Sequence, residues 1–348
     1  MNVVNKCLFR LALPLSPLYL YQIALCALKT VYFQDITALT RHCQGFVTGA
    51  TSNIKLNDKL GFGKVIALGS AAQMVAFSIK ASAPPFPLFV LAFAINGFGA
   101  SLGDAQANGF VASYKNNAAT KMGILHAAYG VGALASPLVA TQFAQLHRWS
   151  FHYLTSLGVA TLNTVFLVCV FKFKTQDECL AEIGQAAEEK EKDSDSQYKE
   201  MFKLKALHLL AFFILVYVGV EVTIGGWIVT YIIQVRHGGP SSGYISAGFF
   251  GGLTAGRVFL LWVNKSLELV VWLVPSLIGS AVAVSLVGVL LGPIYPIVMN
   301  ESGRILPRWL LTGCIGWIAG FGQTGSAALP FMTGAIASKT GIKSLHPL

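Results

Sequence analysis

The residues of this chain best suited to chemistry are ionisable side chains inside long apolar segments. Glu221 stands in the middle of one such segment, with Tyr217 one helical turn before it. Asp104 and Asn108 stand in a second, and their spacing of four residues would put them on one face of a helix. His126 stands in a third. A charge at the centre of a membrane costs roughly 2.5–3.5 kcal/mol on insertion scales, so each group needs a reason to be there.

Two of these groups have competing interpretations that the residues alone leave open. Glu221 either faces a central cavity, where it binds a proton or a substrate hydroxyl, or is a structural carboxyl bonded to a neighbouring helix. His126 either carries protons near neutral pH or donates an interhelical hydrogen bond. We therefore treat both as candidates for proton coupling or substrate binding.

Aromatic and amide side chains form a second group of candidates. Trp227 and Tyr231 could stack on the apolar face of a sugar ring, or they could mark the membrane–water interface near the outer end of their span. Gln323 and Asn300 are candidates for the polar wall of a cavity. These side chains fit a small polar solute.

The composition indicates what must position these side chains. Of the 348 residues, 54% are hydrophobic and only 11% are charged, far below the roughly 25% of soluble globular domains. Apolar runs of about 20 residues recur, and each is long enough to cross a hydrocarbon core as a helix. The sequence therefore predicts an all-α polytopic membrane protein.

Several classes of function are disfavoured by the same reading. The net charge of +10 is spread over short connecting segments, so it indicates membrane orientation and not a nucleic-acid surface. The six cysteines show no CxxC pairing, and no zinc site is expected. No HExxH or Walker sequence occurs, so we expect no enzyme activity and no cofactor.

About ten spans are predicted, at roughly 11–33, 43–56, 65–82, 86–112, 121–142, 150–171, 206–234, 242–263, 276–299 and 309–336. A polar, highly charged segment at 172–205 interrupts them and is typical of a solvated linker. It separates an N-terminal bundle at 1–171 from a C-terminal bundle at 206–348. Counting spans puts the linker on the side rich in Lys and Arg, which is the cytoplasmic side.

The two bundles contain similar segments. Gly45-Phe46-Val47-Thr48-Gly49 resembles Gly248-Phe249-Phe250-Gly251-Gly252. The charged turn Asn57-Asp58-Lys59-Leu60 resembles Asn264-Lys265-Ser266-Leu267. Repeated bundles are typical of secondary transporters, whose binding site lies between the repeats.

Spacing within the repeats predicts missing structure. Leu102-Gly103 is matched to Leu291-Gly292; Lys59 lies 44 positions before Gly103, but Lys265 lies only 27 before Gly292. The difference of 17 residues is close to one span. We therefore expect one helix of the second half to be eroded and one to be absent.

These residues resemble the major facilitator superfamily. The turn from Asn57 to Lys64 is similar to the family's loop between its second and third helices, with Asp58, Lys59, Gly61 and Lys64 in matching places. Arg257 is similar to the Gly-Arg of the matching site in the second half. The segments 125–137 and 219–227 resemble fungal members related to fucose permease and sodium–glucose transporter-like proteins, and the resemblance covers nearly all of 43–348.

The resemblance implies a major facilitator fold of two pseudo-symmetric bundles, incomplete here with about ten spans where the family has twelve. In the family's order, the ninth helix is then the eroded one and the twelfth is the absent one. Asp58, Lys59, Lys64 and Arg257 are then expected to form a latch between helices on the cytoplasmic side. The resemblance also implies a proton-coupling role for Asp104, whose alternative role is to anchor the neighbouring charged turn.

We therefore predict a secondary transporter of a small polar solute, with a sugar as the expected class and alternating access as the mechanism. Coupling to protons would involve Glu221 and Asp104, and sodium is the alternative ion. A monomer that spans the plasma membrane many times is expected. The competing prediction is a non-transporting membrane protein, either a receptor-like relative or an inactive truncated product.

Overall fold

The computed structural model describes residues 32–114, 117–144, 146–182, 184–185, 194–259 and 277–341, and every regular element within these ranges is helical. The all-α prediction is confirmed for this part of the chain. The α-helices are, in chain order, α1 Tyr32–Leu60, α2 Phe62–Ala81, α3 Phe86–Ala112, α4 Ala118–Phe143, α5 His152–Phe171, α6 Gln176–Ala181, α7 Ser194–Lys203, α8 Lys205–Val235, α9 Gly243–Phe259, α10 Leu277–Leu291, α11 Ile294–Ile305 and α12 Leu311–Thr340.

Six segments among the described residues are long and apolar enough to cross a membrane. They are Phe62–Ala81, Phe86–Ala112, Ala118–Phe143, Trp149–Phe171, Lys205–Val235 and Val284–Ile305. Helices α1 and α12, with 29 and 30 residues, also exceed the roughly 20 residues that a span requires. The protein is thus a polytopic helical membrane protein, and the count of about ten spans stays a prediction.

Helix α1 extends further than the span predicted at 43–56. It includes Arg41 and His42, which the sequence placed before the start of that span. Arg41 is exposed and donates to Gln44 Oε1 at 2.9 Å, whereas His42 is 3% exposed and lies beside Phe46. One charged residue on the outer face therefore does not end the helix.

The span predicted at 276–299 is two helices, α10 and α11. The break falls at Gly292 and Pro293. Proline has no N–H to donate into the preceding turn, so the backbone bends there.

Glycines bring α1 against α3, and α9 against α10. A Cβ added to Gly45 would clash with the carbonyl oxygen of Ala94, and a Cβ added to Gly252 would clash with that of Ser285. The backbones touch at these points, as small residues allow between membrane helices.

The contacts correct the repeat by one helical turn. Gly252, and not Gly248, takes the place of Gly45, and Gly256 takes the place of Gly49. Each position lies 207 residues after its counterpart, which is also the spacing between Asn57 and Asn264. Glycine recurs every fourth residue from 248 to 256, so similarity in sequence alone could not fix the register.

On the partner helices the spacing is 191 residues, as between Gly97 and Gly288. Ser101 therefore corresponds to Gly292, whereas Gly103 has open space beside it. The second half is 16 residues shorter between equivalent points, one fewer than the sequence predicted. This difference falls between α9 and α10, and the eroded helix expected from the sequence lies outside the described residues.

The first five helices pack against the last five mainly through α4, α1 and α3. Helix α4 packs on α9, and α12 packs on α1 and α3. Within the later part of the chain α8 packs along α12. The polar side chains described next belong to α3, α4, α8, α9 and α11.

Candidate functional site

Glu221 and Arg257 form a buried ion pair between α8 and α9. Arg257 Nη2 lies 3.8 Å from Glu221 Oε2, and the two side chains are 3% exposed or less. Arg257 Nε also donates to the carbonyl oxygen of Gly292 at 3.2 Å. Removing two charges from water is costly unless they are paired and hydrogen-bonded, and this pair meets both conditions.

Two tyrosines complete the surroundings of the ion pair. The Tyr217 hydroxyl donates to the carbonyl oxygen of Leu291 at 3.1 Å and lies next to both Glu221 and Arg257. The Arg257 guanidinium lies 5.0 Å from the centre of the Tyr129 ring, a cation–π contact with a residue of α4. Through Tyr129 the pair therefore contacts the first half of the chain.

A second polar group lies on α3 and α4. Asn108 Nδ2 donates to Asp104 Oδ1 at 2.8 Å, and Asn108 Oδ1 lies 3.1 Å from His126 Nε2. The amide oxygen accepts only if Nε2 carries the ring's proton. Nδ1 of His126 is then an acceptor, and it is buried without a hydrogen bond among the described residues. A hydroxyl group of a ligand could supply the missing donor.

Tyr295 on α11 joins the two groups. Its ring centre lies 5.1 Å from that of His126 and 6.3 Å from that of Tyr217, and its hydroxyl is next to the Asp104 carboxylate. We call this continuous set the interface cluster: Asp104, Asn108, His126, Tyr129, Tyr217, Glu221, Arg257 and Tyr295. It draws side chains from both halves of the chain.

The interface cluster offers hydrogen-bond donors and acceptors, one balanced charge pair and one further carboxylate. These groups suit recognition of hydroxyl groups and exchange of a proton. Among the described residues no group of three His, Cys, Asp or Glu side chains is arranged to hold a metal ion.

Of the other residues singled out in the sequence, Trp227 on α8 and Gln323 on α12 both donate hydrogen bonds to acceptors on α12. Trp227 Nε1 donates to the carbonyl oxygen of Pro330 at 3.2 Å, and Gln323 Nε2 donates to Ser326 Oγ at 3.0 Å. Both side chains are half-buried, as are Tyr231 and Asn300. These two hydrogen bonds lie within the second half of the chain.

The residues of the predicted latch lie in two places. Asp58, Lys59 and Lys64 are exposed around the turn between α1 and α2, which packs on the chain after α5 through a bond from Gly63 N to Lys174 O at 2.8 Å. Arg257 is instead buried beside Glu221. A latch that involves the first three residues stays a prediction.

Tyr129 and Tyr295 were not identified from the sequence. Tyr129 follows His126 by three residues, a spacing that puts both on one helix face and could have indicated it. Tyr295 comes directly after the Gly292-Pro293 break, and nothing in its neighbours marks it as inward-facing. A third omission is the buried bond from Gln106 Nε2 to Asn53 Oδ1, at 2.8 Å between α3 and α1.

Comparison with known proteins supports the resemblance. The sequence profile of the Major Facilitator Superfamily matches residues 45–286. Bypass of stop codon protein 6 of Saccharomyces cerevisiae is 25% identical over 341 residues, which cover 86% of this chain and 69% of that protein. The glucose/mannose transporter GlcP of Bacillus subtilis is 24% identical over 289 residues, covering 76% of this chain and 70% of that protein.

A solved structure has the same fold. The E. coli fucose:proton symporter FucP superimposes with a TM-score of 0.68 at 12% sequence identity, over 97% of this chain and 93% of that one. At this identity the likeness concerns the fold alone. The expected family and its fold are therefore confirmed by independent observations.

Proposed function

Because the chain belongs to the Major Facilitator Superfamily, whose members are transporters, we propose that it moves a small polar solute across the membrane with the interface cluster as its binding site. The observation that carries the proposal is the continuity of this cluster across both halves. In transporters built from repeats, substrate and ion sites lie at the interface between the repeats. Rocking of the halves would expose such a site to each side in turn.

A sugar is the solute class that we propose. Two relatives or structural neighbours carry sugar names, one a glucose/mannose transporter and the other a fucose:proton symporter. Asn108, His126 Nδ1 and the hydroxyl of Tyr295 provide the mixture of donors and acceptors that sugar hydroxyls need. Tyr129 and Tyr295 add aromatic surface near these groups.

Proton coupling is proposed to depend on Asp104 and Glu221 in different ways. Glu221 has the Arg257 guanidinium as its counter-ion, so its charge is balanced within the protein. Asp104 has the neutral Asn108 and Tyr295 as neighbours. Its negative charge is therefore neutralised when the carboxylate binds a proton. We assign proton binding to Asp104 and solute positioning to Glu221. Sodium is the alternative coupling ion. We propose that the protein is a monomer and lies in the plasma membrane.

Uptake into proteoliposomes tests the proposal. With an imposed pH gradient, the purified chain is expected to accumulate at least one of radiolabelled glucose, mannose and fucose. Asp104→Asn should abolish accumulation but retain solute exchange in the absence of a gradient, because only coupling is lost. Glu221→Gln should reduce both, because the solute site is altered.

Glu200→Gln is the matched control, since this carboxylate is 44% exposed on the linker helix α7. It should leave both activities unchanged. Solute binding without uptake would overturn the transporter proposal in favour of a receptor-like protein. Accumulation that survives Asp104→Asn would overturn the assignment of the proton.

A further inference from the structure

A cavity of about 490 Å³ lies where α1, α7 and α12 meet, on the side of the molecule that carries the linker. It is separate from the interface cluster and shares no residue with it. Its lining is Thr51, Ser52, Lys55, Leu56, Lys59, Tyr198, Phe202 and Trp317.

One wall of the cavity is positively charged. Lys55 and Lys59 are four residues apart on α1, so both side chains project from one face of that helix. Both side chains are exposed and line the cavity. Two ammonium groups on one side of a concave surface suit a phosphate group, because each provides charge and up to three donors.

The opposite wall is aromatic. Phe202 of α7 and Trp317 of α12 are in edge-to-face contact with ring centres 4.8 Å apart, and Trp317 stacks on the exposed Phe321. Trp317 lies in the second turn of α12, and the lysines lie in the last two turns of α1. The cavity is therefore at the level of the helix ends, where aromatic side chains and lysines mark the membrane–water interface.

The third boundary is the linker helix α7, which contacts both halves. The Tyr198 hydroxyl donates to the carbonyl oxygen of Thr51 on α1. Met201, 1% exposed, lies between Ile54 of α1 and the start of α12 near Gly313. A molecule in this cavity would touch α1, α7 and α12 at once.

We propose that the cavity binds an anionic phospholipid from the membrane leaflet on the linker side. The phosphate lies between Lys55 and Lys59, and an acyl chain follows Phe202 and Trp317 towards Phe321. Basic recesses between helices on the cytoplasmic side are suited to anionic lipid head groups. A lipid is favoured over a soluble phosphate compound because the charged wall faces an aromatic one that continues onto the apolar outer surface of α12. The proposal is independent of the transported solute.

Lipid retention by the full chain tests it. The protein is incorporated into phosphatidylcholine nanodiscs in which about one lipid in ten is spin-labelled phosphatidylserine, and the immobilised fraction is measured against a phosphatidylcholine label. The wild type should hold phosphatidylserine preferentially. Lys55→Gln with Lys59→Gln should lower this preference by roughly tenfold, given the attraction of each lysine to anionic lipid.

Lys199→Gln is the matched control, because this exposed lysine is on α7 but does not line the cavity. It should retain the preference for phosphatidylserine. Equal retention of both labels by the wild type, or an equal loss in the control and the double variant, would overturn the proposal.

A photoactivatable phosphatidylserine provides a readout that needs no variant. Mass spectrometry should locate its crosslinks in the peptides that contain Phe202 and Trp317. Labelling elsewhere only would contradict the assigned site. Competition by soluble glycerol phosphate at equal concentration would show that the phosphate alone suffices, and would replace the lipid with a soluble ligand.

Discussion

The helix pairs α1–α3 and α9–α10 have the same backbone packing and different polar residues. Each pair is held together by glycines at equivalent positions, Gly45 and Gly97 in the first and Gly252 and Gly288 in the second. By the same spacing, Arg257 stands where the first pair has Ala50. Asp104, about two turns before the end of α3, is matched by Tyr295, just beyond α10.

The two helix pairs share their backbone packing, but their buried polar contacts differ. In the first pair the buried polar contact is a hydrogen bond between the neutral side-chain amides of Asn53 and Gln106. In the second, a guanidinium enters the interface and meets Glu221 of α8. The glycine contacts fix how close the helices lie, whereas the buried guanidinium is specific to the second pair. Substitutions at the ion pair, at the glycines, at Asn53 and at Asp58 break or sharpen this contrast.

Arg257→Ala would give the second pair the alanine that the first pair has at Ala50. Of the substitutions proposed, it should have the largest effect on stability. It leaves Glu221 buried without a counter-ion, which is expected to reduce the free energy of unfolding by about 3–5 kcal/mol. Denaturant titration of the purified protein in detergent measures the loss. The loss should shrink at acidic pH, because protonation removes the unpaired charge.

Adding Glu221→Gln to Arg257→Ala tests the explanation. The double variant should recover most of the lost stability at neutral pH, since no charge is left to pair. A loss that is the same at neutral and acidic pH would show that Arg257 acts through packing alone.

Gly45→Ala and Gly252→Ala probe the shared part of the comparison. Each added Cβ meets a backbone carbonyl, so each should cost about 1–3 kcal/mol, and the two losses should be alike. Gly103→Ala is the control, because nothing lies within 4 Å of its added Cβ. That variant should be slightly more stable, by about 0.5–1 kcal/mol. Unequal losses at Gly45 and Gly252 would break the proposed equivalence.

Asn53→Ala tests the neutral polar contact of the first pair. Interhelical hydrogen bonds in membrane proteins contribute about 0.6 kcal/mol on average, so a loss of that size is expected. The same denaturant titration measures it. A loss as large as that of Arg257→Ala would mean that charge is not what distinguishes the halves.

Asp58→Asn should have the smallest effect on stability, within about 0.5 kcal/mol, because the side chain is exposed. If the turn acts as a latch, the variant should instead change the rate of solute exchange in proteoliposomes. An unchanged rate together with unchanged stability would remove Asp58 from the proposed latch.

The fold was predictable to the extent that it depends on local patterns. Apolar length indicated the helices, and the recurrence of glycine indicated a repeat. The register of the repeat was not predictable, because Gly248, Gly252 and Gly256 lie one turn apart and only contact with α10 distinguishes them. The N-terminal part of α1, from Tyr32 onwards, was not predicted, because the charged Arg41 on its exposed face resembled the start of a span.

The candidate site was predictable where an ionisable residue interrupts an apolar run. Glu221, Asp104 and His126 stand out for that reason, and the structure brings them into one cluster. The partner of Glu221 did not follow from the sequence, because Arg257 belongs to a family motif that suggested a different place. Tyrosines such as Tyr295 carry no net charge, and only the three-dimensional arrangement shows that they are inward-facing.

The pairing of Glu221 with Arg257 has an electrical consequence for the proposed transporter. A carboxylate and a guanidinium that move together carry no net charge, so a membrane voltage does no net work on them. A proton that crosses the whole membrane with the solute gains about 2.3 kcal/mol for every 100 mV. If Asp104 binds that proton, the voltage and the pH difference both drive accumulation, and short-circuiting the membrane with a potassium ionophore should halve the driving force when the two contributions are equal.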